Sequence, residues 1–193
     1  MTDQAPQTAC ADAPKVEPSR YSEFATLRDG TRVEIRAQRP DDQAAMLDVF
    51  GRMGTESRYT RFFAPKRGFS EAEIAHYMNI DFVNHVALVT VVEVAGVSRI
   101  AGAGRYIVTQ PGAAEVAFMV DDAFQGRGIA SAVIRHLVVI ARAAGLDALH
   151  AEVLAQNAPM LKVFGKCGLA MTTKREQGVI HVALALRDSG GVA

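Results

Sequence analysis

The segment formed by residues 115–169 constrains the fold most, because it joins an apolar strand to a helix through a glycine-bearing loop. The strand reads Glu-Val-Ala-Phe-Met-Val at residues 115–120, and the loop reads Gln-Gly-Arg-Gly-Ile-Ala at residues 125–130. Backbone N–H groups in the first turn of a helix lack intrahelical partners and attract anions. Gly126 and Gly128 let the backbone approach a ligand closely and adopt positive φ. The pattern predicts a phosphate or pyrophosphate site at the start of the helix.

The remainder of this segment predicts a parallel pair of strands. Residues 128–144 repeat apolar side chains at helical spacing, and residues 148–154 alternate apolar with polar side chains as a strand does. A strand–helix–strand unit makes a right-handed crossover, so its two strands run parallel. A last helix is predicted for residues 157–166, and residues 169–173 and 178–186 are predicted to close the sheet as an antiparallel pair.

The first half of the chain predicts an antiparallel meander with helices inserted after its first strand. Alternating or β-branched runs predict strands, and helical spacing with start signals predicts helices. Ser70 and Glu73 have the spacing of a capping box at one helix start. Gly102 and Gly104 indicate a bulge or a close approach within one strand. The strands are residues 31–37, 85–94, 99–109 and 115–120, and the helices are residues 41–53, 55–63 and 70–77. The predicted class is α/β, with helices flanking a mixed, mostly antiparallel sheet.

The helix at residues 55–63 mixes aromatic residues with arginines, and two interpretations stay open. Its side chains line a cofactor or substrate channel, or Tyr59, Phe62 and Phe63 pack into the core while the arginines are solvated.

Length and composition limit the possible classes of protein. A chain of 193 residues predicts a single domain, here residues 23–188, with a disordered lead at residues 1–22 and a frayed end at residues 189–193. A net charge of zero argues against a nucleic-acid partner, and no apolar run reaches the ~18 residues that span a bilayer. The chain shows neither a signal-peptide pattern nor cysteines placed for a disulfide, so a cytoplasmic location is expected. No histidine pairing suggests a metal ligand set.

Three interpretations of the phosphate loop compete. A Walker loop ends in Gly-Lys-Ser/Thr, but Ile129 follows Gly128 here. A dinucleotide fingerprint needs a third glycine where Ser131 stands, and it needs strand–helix alternation that the upstream meander does not supply. The third interpretation is an acyl-CoA site.

The loop at residues 125–130 resembles the pyrophosphate loop of the GNAT superfamily of N-acetyltransferases. Asn-Ala-Pro-Met at residues 157–160 and Phe-Gly-Lys-Cys-Gly-Leu at residues 164–169 follow in that family's order. The resemblance covers residues 27–186 and is most specific to the catalytic domain of bacterial protein lysine acetyltransferases. The motifs that carry it are Leu-Arg-Asp-Gly-Thr at residues 27–31, Arg-Pro-Asp-Asp at 39–42, Ser-Arg-Tyr-x-Arg-Phe-Phe at 57–63 and Glu-Val-Leu-Ala-x-Asn at 152–157.

The resemblance implies that acetyl-CoA lies where the parallel pair of strands splays apart. Strand backbone would pair with the pantetheine arm, and N–H groups of the loop would hold the pyrophosphate. Arg127 would add a charged contact or be solvated, and Asn157 would bind the arm or only cap its helix. The residues concerned are Phe118, Met119 and Val120 on the strand, Gln125, Gly126, Arg127, Gly128, Ile129 and Ala130 in the loop, and Ser131 and Asn157 beyond it.

Acetyl transfer to an amine requires a neutral nucleophile, whereas a lysine side chain has a pKa near ~10.4. A general base is therefore expected, and Glu115 matches a position where related enzymes place such a glutamate; the alternative is an exposed strand-edge residue. Glu152 is the reserve candidate, with a structural role favoured. Phe164 stands where many superfamily members have a tyrosine that protonates the leaving thiolate, so water or another group would do so, or the thiolate would leave unprotonated. Cys167 is a conceivable acyl carrier, but a buried helix-end position is favoured.

The expected function is transfer of an acetyl group from acetyl-CoA to a primary amine by direct attack in a ternary complex. The resemblance favours a lysine side chain on a protein, with AMP-forming acyl-CoA synthetases as candidate partners. The alternatives are a small-molecule acetyltransferase acting on a polyamine, an amino acid or an antibiotic, and a non-catalytic acyl-CoA-binding sensor module. The protein is expected to be a monomer or a homodimer.

Overall fold

The computed structural model describes residues 16–187, in which eight strands form one sheet. The strands are β1 (Ser22–Thr26), β2 (Arg32–Ala37), β3 (His85–Val94), β4 (Val97–Gln110), β5 (Ala113–Val120), β6 (Ala148–Leu154), β7 (Ala170–Glu176) and β8 (Val179–Ala185). The helices are α1 (Gln43–Arg52), α2 (Thr55–Phe62), α3 (Glu71–Met78), α4 (Ile129–Ala143) and α5 (Ala158–Gly165), with short 3-10 turns at Pro18–Arg20, Pro40–Asp42 and Asp122–Phe124.

The sheet has the order β1-β2-β3-β4-β5-β6-β8-β7, and β5–β6 is its one parallel pair within residues 16–187. Parallel pairing joins Ala113 to Ala148, Ala114 to Leu149 and Glu115 to His150, and then it stops. The remaining residues of β5 and β6 therefore diverge. This confirms the predicted class, a mostly antiparallel mixed sheet with one splayed parallel pair.

Strand β1 was not predicted, and it extends the meander to five strands. Its sequence Ser-Glu-Phe-Ala-Thr lacks a clear alternation because four of its five side chains are exposed at the sheet edge. The Tyr21 hydroxyl lies 2.6 Å from Nδ1 of His136 on α4, and the turn Pro18–Arg20 precedes it. The structured part of the chain thus begins before the predicted boundary at residue 23. Residues 1–15 and the predicted frayed end at residues 189–193 lie outside the described residues.

Helices cover the two faces of the sheet. On one face, α4 buries Val133, Ile134 and Leu137 completely in the main hydrophobic core. On the other face, Met46 and Val49 of α1 pack in a smaller cluster with residues of β3 and β4. An amphipathic helix packed on each face is the arrangement that buries the apolar side chains of a sheet.

Glycines in β4 allow a close approach between the sheet and α4. A Cβ atom on Gly104 would lie 2.6 Å from a methyl group of Val133 and 2.8 Å from the Phe118 ring. The β3–β4 register shifts beside Gly102, which places a bulge there. Both predicted roles, bulge and close approach, are confirmed, and they bring α4 against the strand whose end carries the loop.

The start of α1 is fixed by a buried ion pair. Two hydrogen bonds of 2.7 Å join the Arg36 guanidinium to the Asp42 carboxylate, which also accepts the Arg39 N–H at 2.7 Å. Burial alone would raise the pKa of Asp42, but the hydrogen bonds from Arg36 and Arg39 outweigh burial and lower the pKa. The predicted helix start at residues 39–42 is therefore correct, and a specific carboxylate stabilises it.

Candidate active site

A cleft of about 530 Å³ opens where β5 and β6 separate. Its walls are β5, the start of α4, α5 and one face of α2. All predicted site residues except Arg127 line it, namely Glu115, Phe118, Met119, Val120, Gln125, Gly126, Gly128, Ile129, Ala130, Ser131 and Asn157. Residues separated by some 40 positions in sequence thus meet at one opening.

The floor of the cleft beside α4 carries backbone donors without acceptors. Gly128 caps the helix with φ +100° and offers no side-chain cap, so the N–H groups of the first turn stay open. Within the described chain, none of the N–H groups of residues 126–131 donates a hydrogen bond. A Cβ on Gly128 would be strained at this φ, and only glycine adopts it readily. The loop has the geometry of an anion site.

The N–H group of Gln125 was expected to be one of the loop donors that hold the pyrophosphate, but it is already engaged. That N–H already donates to the carbonyl oxygen of Asp122 at 3.3 Å. Its side-chain amide donates to Asp122 Oδ1 at 2.7 Å and to Ser57 Oγ at 3.1 Å. Gln125 therefore fastens the loop to α2, and the free donors begin at Gly126.

Arg127 fastens the loop on its opposite side. Its guanidinium donates to Asp29 Oδ2 at 3.3 Å and to the Ala123 carbonyl oxygen at 3.0 Å, and it lies 4.9 Å from the centre of the Phe124 ring. The side chain does not line the cleft. Its side chain is 41% exposed and holds the loop to the β1–β2 turn, which fits the solvated alternative better than a contact with the ligand.

Arg28, which belongs to the family motif at residues 27–31 but was not among the predicted site residues, lines the cleft beside the loop. Its N–H donates to the Arg127 carbonyl oxygen at 3.1 Å, and its side chain passes 3.4 Å from where a Cβ of Gly128 would be. Its guanidinium has no ion-pair partner within residues 16–187. The family motif does not reveal this contact, because 100 positions separate Arg28 from Gly128. It adds a positive charge beside the open donors.

We expect Arg28→Gln to weaken binding of acetyl-CoA about twofold to fivefold, the range of one exposed ion pair. The loss should shrink in 0.5 M NaCl because salt screens exposed charges. Calorimetric titration at two salt concentrations measures both effects. Arg135→Gln, an exposed arginine on α4 outside the cleft, is the matched control. Equal losses in the two variants would contradict a local role for Arg28.

The upper wall of the cleft is the free edge of β5. Beyond Glu115 this edge has no strand partner, so alternate backbone N–H and C=O groups of residues 116–120 face the opening. On the facing helix, Asn157 Oδ1 accepts the Met160 N–H at 3.2 Å, which makes it the cap of α5 as well as a cleft residue. The helix-cap role of Asn157 is confirmed, and the backbone edge is available to an extended ligand.

Glu115 lies exposed in the cleft at the last position of the parallel pairing. Arg61 and Tyr77 share this part of the cleft. Burial lowers the pKa of Arg61, while Tyr77 and the charge of Glu115 act in the opposite direction. Glu115 therefore stands within electrostatic reach of a guanidinium, in a place that solvent and a ligand can enter.

The other candidates for catalysis have different surroundings. Glu152 Oε1 lies 3.4 Å from His181 Nδ1 on β8, as the structural interpretation predicted. Phe164 is buried, and its ring centre lies 6.0 Å from that of Phe118, with no proton to supply. Cys167 packs against the main core and does not line the cleft. Both glutamates line the cleft, but Glu152 is engaged by His181, so Glu115 is the candidate base without an ion-pair partner among residues 16–187.

Helix α2 lines the cleft, which agrees with the first of the two interpretations of residues 55–63. Ser57, Thr60, Arg61 and Phe62 face the cleft, whereas Tyr59 is 40% exposed. The alternative, with Tyr59 packed in the core and the arginines solvated, is wrong at Tyr59 and at Arg61, whose Nε is buried.

The described part of the chain shows neither a metal-binding cluster nor a helix that could span a membrane. Residues 16–187 contain no cluster of three or more His, Cys, Asp or Glu side chains arranged for a metal ion. Over the same residues, no helix has the length and hydropathy that crossing a bilayer requires.

The model of the acetyltransferase (GNAT) family matches residues 56–169, which is more than half of the chain. The chain therefore belongs to the GNAT family and is an acetyl-CoA-dependent N-acetyltransferase. This confirms the family that the loop and the downstream motifs had indicated.

Its relatives include acetyltransferases of bacteria. Acetyltransferase PA5475 of Pseudomonas aeruginosa is 29% identical over 152 residues, which cover 78% of this chain and 81% of that protein. Acetyltransferase Pat of Mycolicibacterium smegmatis is 28% identical over 156 residues, which cover 80% of this chain and 46% of Pat. The chain thus spans less than half the length of Pat.

Solved structures share the fold. The GNAT domain of S. lividans PAT is 35% identical with a TM-score of 0.76, and the match covers 85% of this chain and 96% of that domain. An acetyltransferase of Salmonella typhimurium, solved with its cofactor acetyl-CoA, is 18% identical with a TM-score of 0.63, covering 83% and 96% of the two chains. At this identity the second match supports the fold alone.

Proposed function

We propose that this enzyme transfers the acetyl group of acetyl-CoA to the side-chain amine of a protein lysine, with Glu115 as general base. One observation carries the proposal: a single cleft holds both the anion-binding loop and an exposed carboxylate. An exposed Glu115 is within reach of a long lysine side chain extended from another protein. The similarity to the GNAT domain of S. lividans PAT supports the same class of acceptor.

The chain's own groups fit acetyl-CoA along the cleft. The open N–H groups of residues 126–131 would hold the pyrophosphate, with the Ser131 hydroxyl beside them. The free edge of β5 at residues 118–120 would pair with the amide groups of the pantetheine arm, and Asn157 would face that arm from α5. Acetyl-CoA supplies the activated acetyl group as a thioester.

Glu115 would make the acceptor nucleophilic. At pH 7 about one lysine side chain in 10³ is uncharged, given a pKa near ~10.4. Glu115 would take the ammonium proton directly or through one water molecule. The amine nitrogen then bonds to the acetyl carbon, the carbon–sulfur bond breaks, and the nitrogen loses a second proton to solvent. The departing thiolate takes a proton from solvent because Phe164 has none to give.

The test is incubation of the purified protein with labelled acetyl-CoA and a bacterial cytosolic extract, with Glu115→Gln in parallel. We expect label on a few discrete protein bands, lost in the variant, and label on a purified AMP-forming acyl-CoA synthetase. Absence of enzyme-dependent protein label, together with thiol release on free polyamines, amino acids or antibiotics, would overturn the protein acceptor in favour of a small amine. Acetyl-CoA binding without thiol release on any amine would favour the sensor alternative.

A further inference from the structure

A second, smaller cavity of about 50 Å³ adjoins the cleft, and two arginines line it. We call it the arginine pocket; its polar lining is Arg61, Arg105, Tyr77, Gln38 and Gln43. Its remaining walls are apolar residues of α1, α3, β4 and β5 with aromatic rings of Phe62 and Phe69. Arg61 and Tyr77 line both the pocket and the cleft that contains Glu115, so the two cavities share a wall.

Arg105 is 8% exposed, and each hydrogen-bond partner of its guanidinium is neutral. One Nη atom lies 3.1 Å from the Tyr77 carbonyl oxygen and 3.1 Å from His85 Nε2, and the other lies 3.4 Å from Gln38 Oε1. Burial, followed by the charge of Arg105, lowers the pKa of His85 to about 4, so this imidazole is uncharged at pH 7. Arg105 therefore carries a buried positive charge that these partners do not neutralise.

Arg61 brings a second positive charge to the same pocket. Its Nε is buried and has no hydrogen-bond partner, and its guanidinium lies 4.9 Å from the centre of the Phe62 ring. Burial, and then the charge of Arg61, lowers the pKa of Arg105 to about 10. The charge of Arg61 thus adds to burial in making the charged form of Arg105 less favourable.

No carboxylate among residues 16–187 forms an ion pair with either arginine. Among the acidic groups on neighbouring elements, Asp42 pairs with Arg36 and Glu73 with Lys66, while the charge of Glu115 acts on Arg61 without forming an ion pair. A buried cation is costly unless it is paired. The buried Arg105 and the partly buried Arg61, whose Nε donor has no partner, point to an anion that arrives with a ligand.

We propose that the arginine pocket binds a carboxylate group of the amine acceptor. The inference rests on the proposed function, in which Glu115 receives the amine in the adjoining cleft. The strand register supports this arrangement, because Arg105 lies opposite Ala117 and Glu115 is two residues from Ala117 on the same face of the sheet. About 50 Å³ accommodates an end group and not a second whole side chain and backbone. The acceptor is therefore an amine with a nearby carboxylate.

Two kinds of acceptor carry this chemistry, and matched substrates separate them. The first pair is a lysine peptide with glutamates beside the lysine and the same peptide with glutamines. The second pair is free lysine and 1,5-diaminopentane, which lacks the carboxylate. For wild type we expect a KM at least about tenfold lower for the carboxylate-bearing member of one pair, the range of a charge-assisted hydrogen bond. The pair that shows the preference identifies the source of the carboxylate.

Arg61→Gln should abolish that preference, and Arg61→Lys should restore part of it because a positive charge returns. Arg58→Gln is the matched control: Arg58 lies on the same helix, bonds the Gly51 carbonyl oxygen and lines neither cavity. It should keep the full preference. Thermal unfolding of each variant checks that the fold persists. Equal KM values within both substrate pairs for wild type would overturn the inference while the proposed function stands.

Binding without turnover gives an independent readout. Calorimetry with the glutamate peptide carrying an already acetylated lysine should show binding that weakens about tenfold in Arg61→Gln and stays unchanged in Arg58→Gln. Arg61-dependent binding of that peptide by an enzyme inactive on all amines would sustain the pocket and refute the proposed function. Binding that is indifferent to Arg61 would overturn the pocket.

Discussion

Replacing Glu115 with glutamine should lower kcat/KM for a lysine acceptor about 10²- to 10⁴-fold at pH 7, the usual contribution of a general base. The amide keeps the shape of the side chain but cannot take the ammonium proton. The dissociation constant for acetyl-CoA should stay unchanged, because the open N–H groups of residues 126–131 do not involve Glu115. Steady-state kinetics and calorimetric titration measure the two quantities.

The pH dependence distinguishes a base from a merely structural residue. As the pH rises toward ~10.4, more of the acceptor amine is already neutral. The ratio of wild-type kcat/KM to that of Glu115→Gln should therefore decrease. Glu152→Gln is the matched control, since Glu152 also lines the cleft but lies beside His181. The kcat/KM of Glu152→Gln should fall by less than about fivefold, the upper range for an exposed ion pair. A deficit of Glu115→Gln that is constant from pH 7 to pH 10 would rule out proton removal as its role.

Asp42→Asn should lower the free energy of unfolding by about 3–5 kcal/mol, because it leaves the buried Arg36 guanidinium without its carboxylate. Arg36 and Asp42 are 9% and 6% exposed, so solvent screens their interaction little. Asp41→Asn is the control one residue away: Asp41 is exposed and should change the free energy by less than about 0.5 kcal/mol. Urea unfolding followed by circular dichroism measures both, and similar midpoint shifts would contradict the assignment.

The Arg36–Asp42 ion pair also makes the free energy of unfolding depend on pH. The pKa of Asp42 is lower in the folded protein than its ordinary value of 3.8. Its contribution to stability is therefore fully present above that ordinary value and is lost as the pH falls through the folded pKa. The difference in unfolding free energy between wild type and Asp42→Asn should accordingly shrink below about pH 4. A difference that persists unchanged at pH 2–3 would contradict this linkage.

Local periodicity predicted the elements that hold the cofactor end of the site. The strand at residues 115–120, the helix from Gly128 and the strand at residues 148–154 all carry their signal within a few residues, and all three formed as predicted. Strand β1 gave no such signal because most of its side chains are exposed at a sheet edge. Its place in the sheet comes from pairing with β2.

Long-range contacts account for the parts of the site that the sequence did not reveal. Arg28 approaches Gly128 although 100 positions separate them, and Arg61 and Arg105 line one pocket although 44 positions separate them. A local sequence motif cannot predict contacts over such separations. Arg61 was expected in solvent under one interpretation because charged residues rarely lie buried without a partner. The structure places it against a cavity, which is the kind of exception that sites for ligands produce.

The hydrogen bond from Gln125 to Ser57 gives the two sides of the cleft a direct physical link. One end of this contact belongs to the loop that faces acetyl-CoA, and the other belongs to α2, which also carries Arg61. A shift of the loop on cofactor binding would therefore act on α2, the helix that meets the proposed acceptor. Coupling between two ligands is reciprocal, so whatever acetyl-CoA adds to acceptor affinity, the acceptor must add equally to acetyl-CoA affinity.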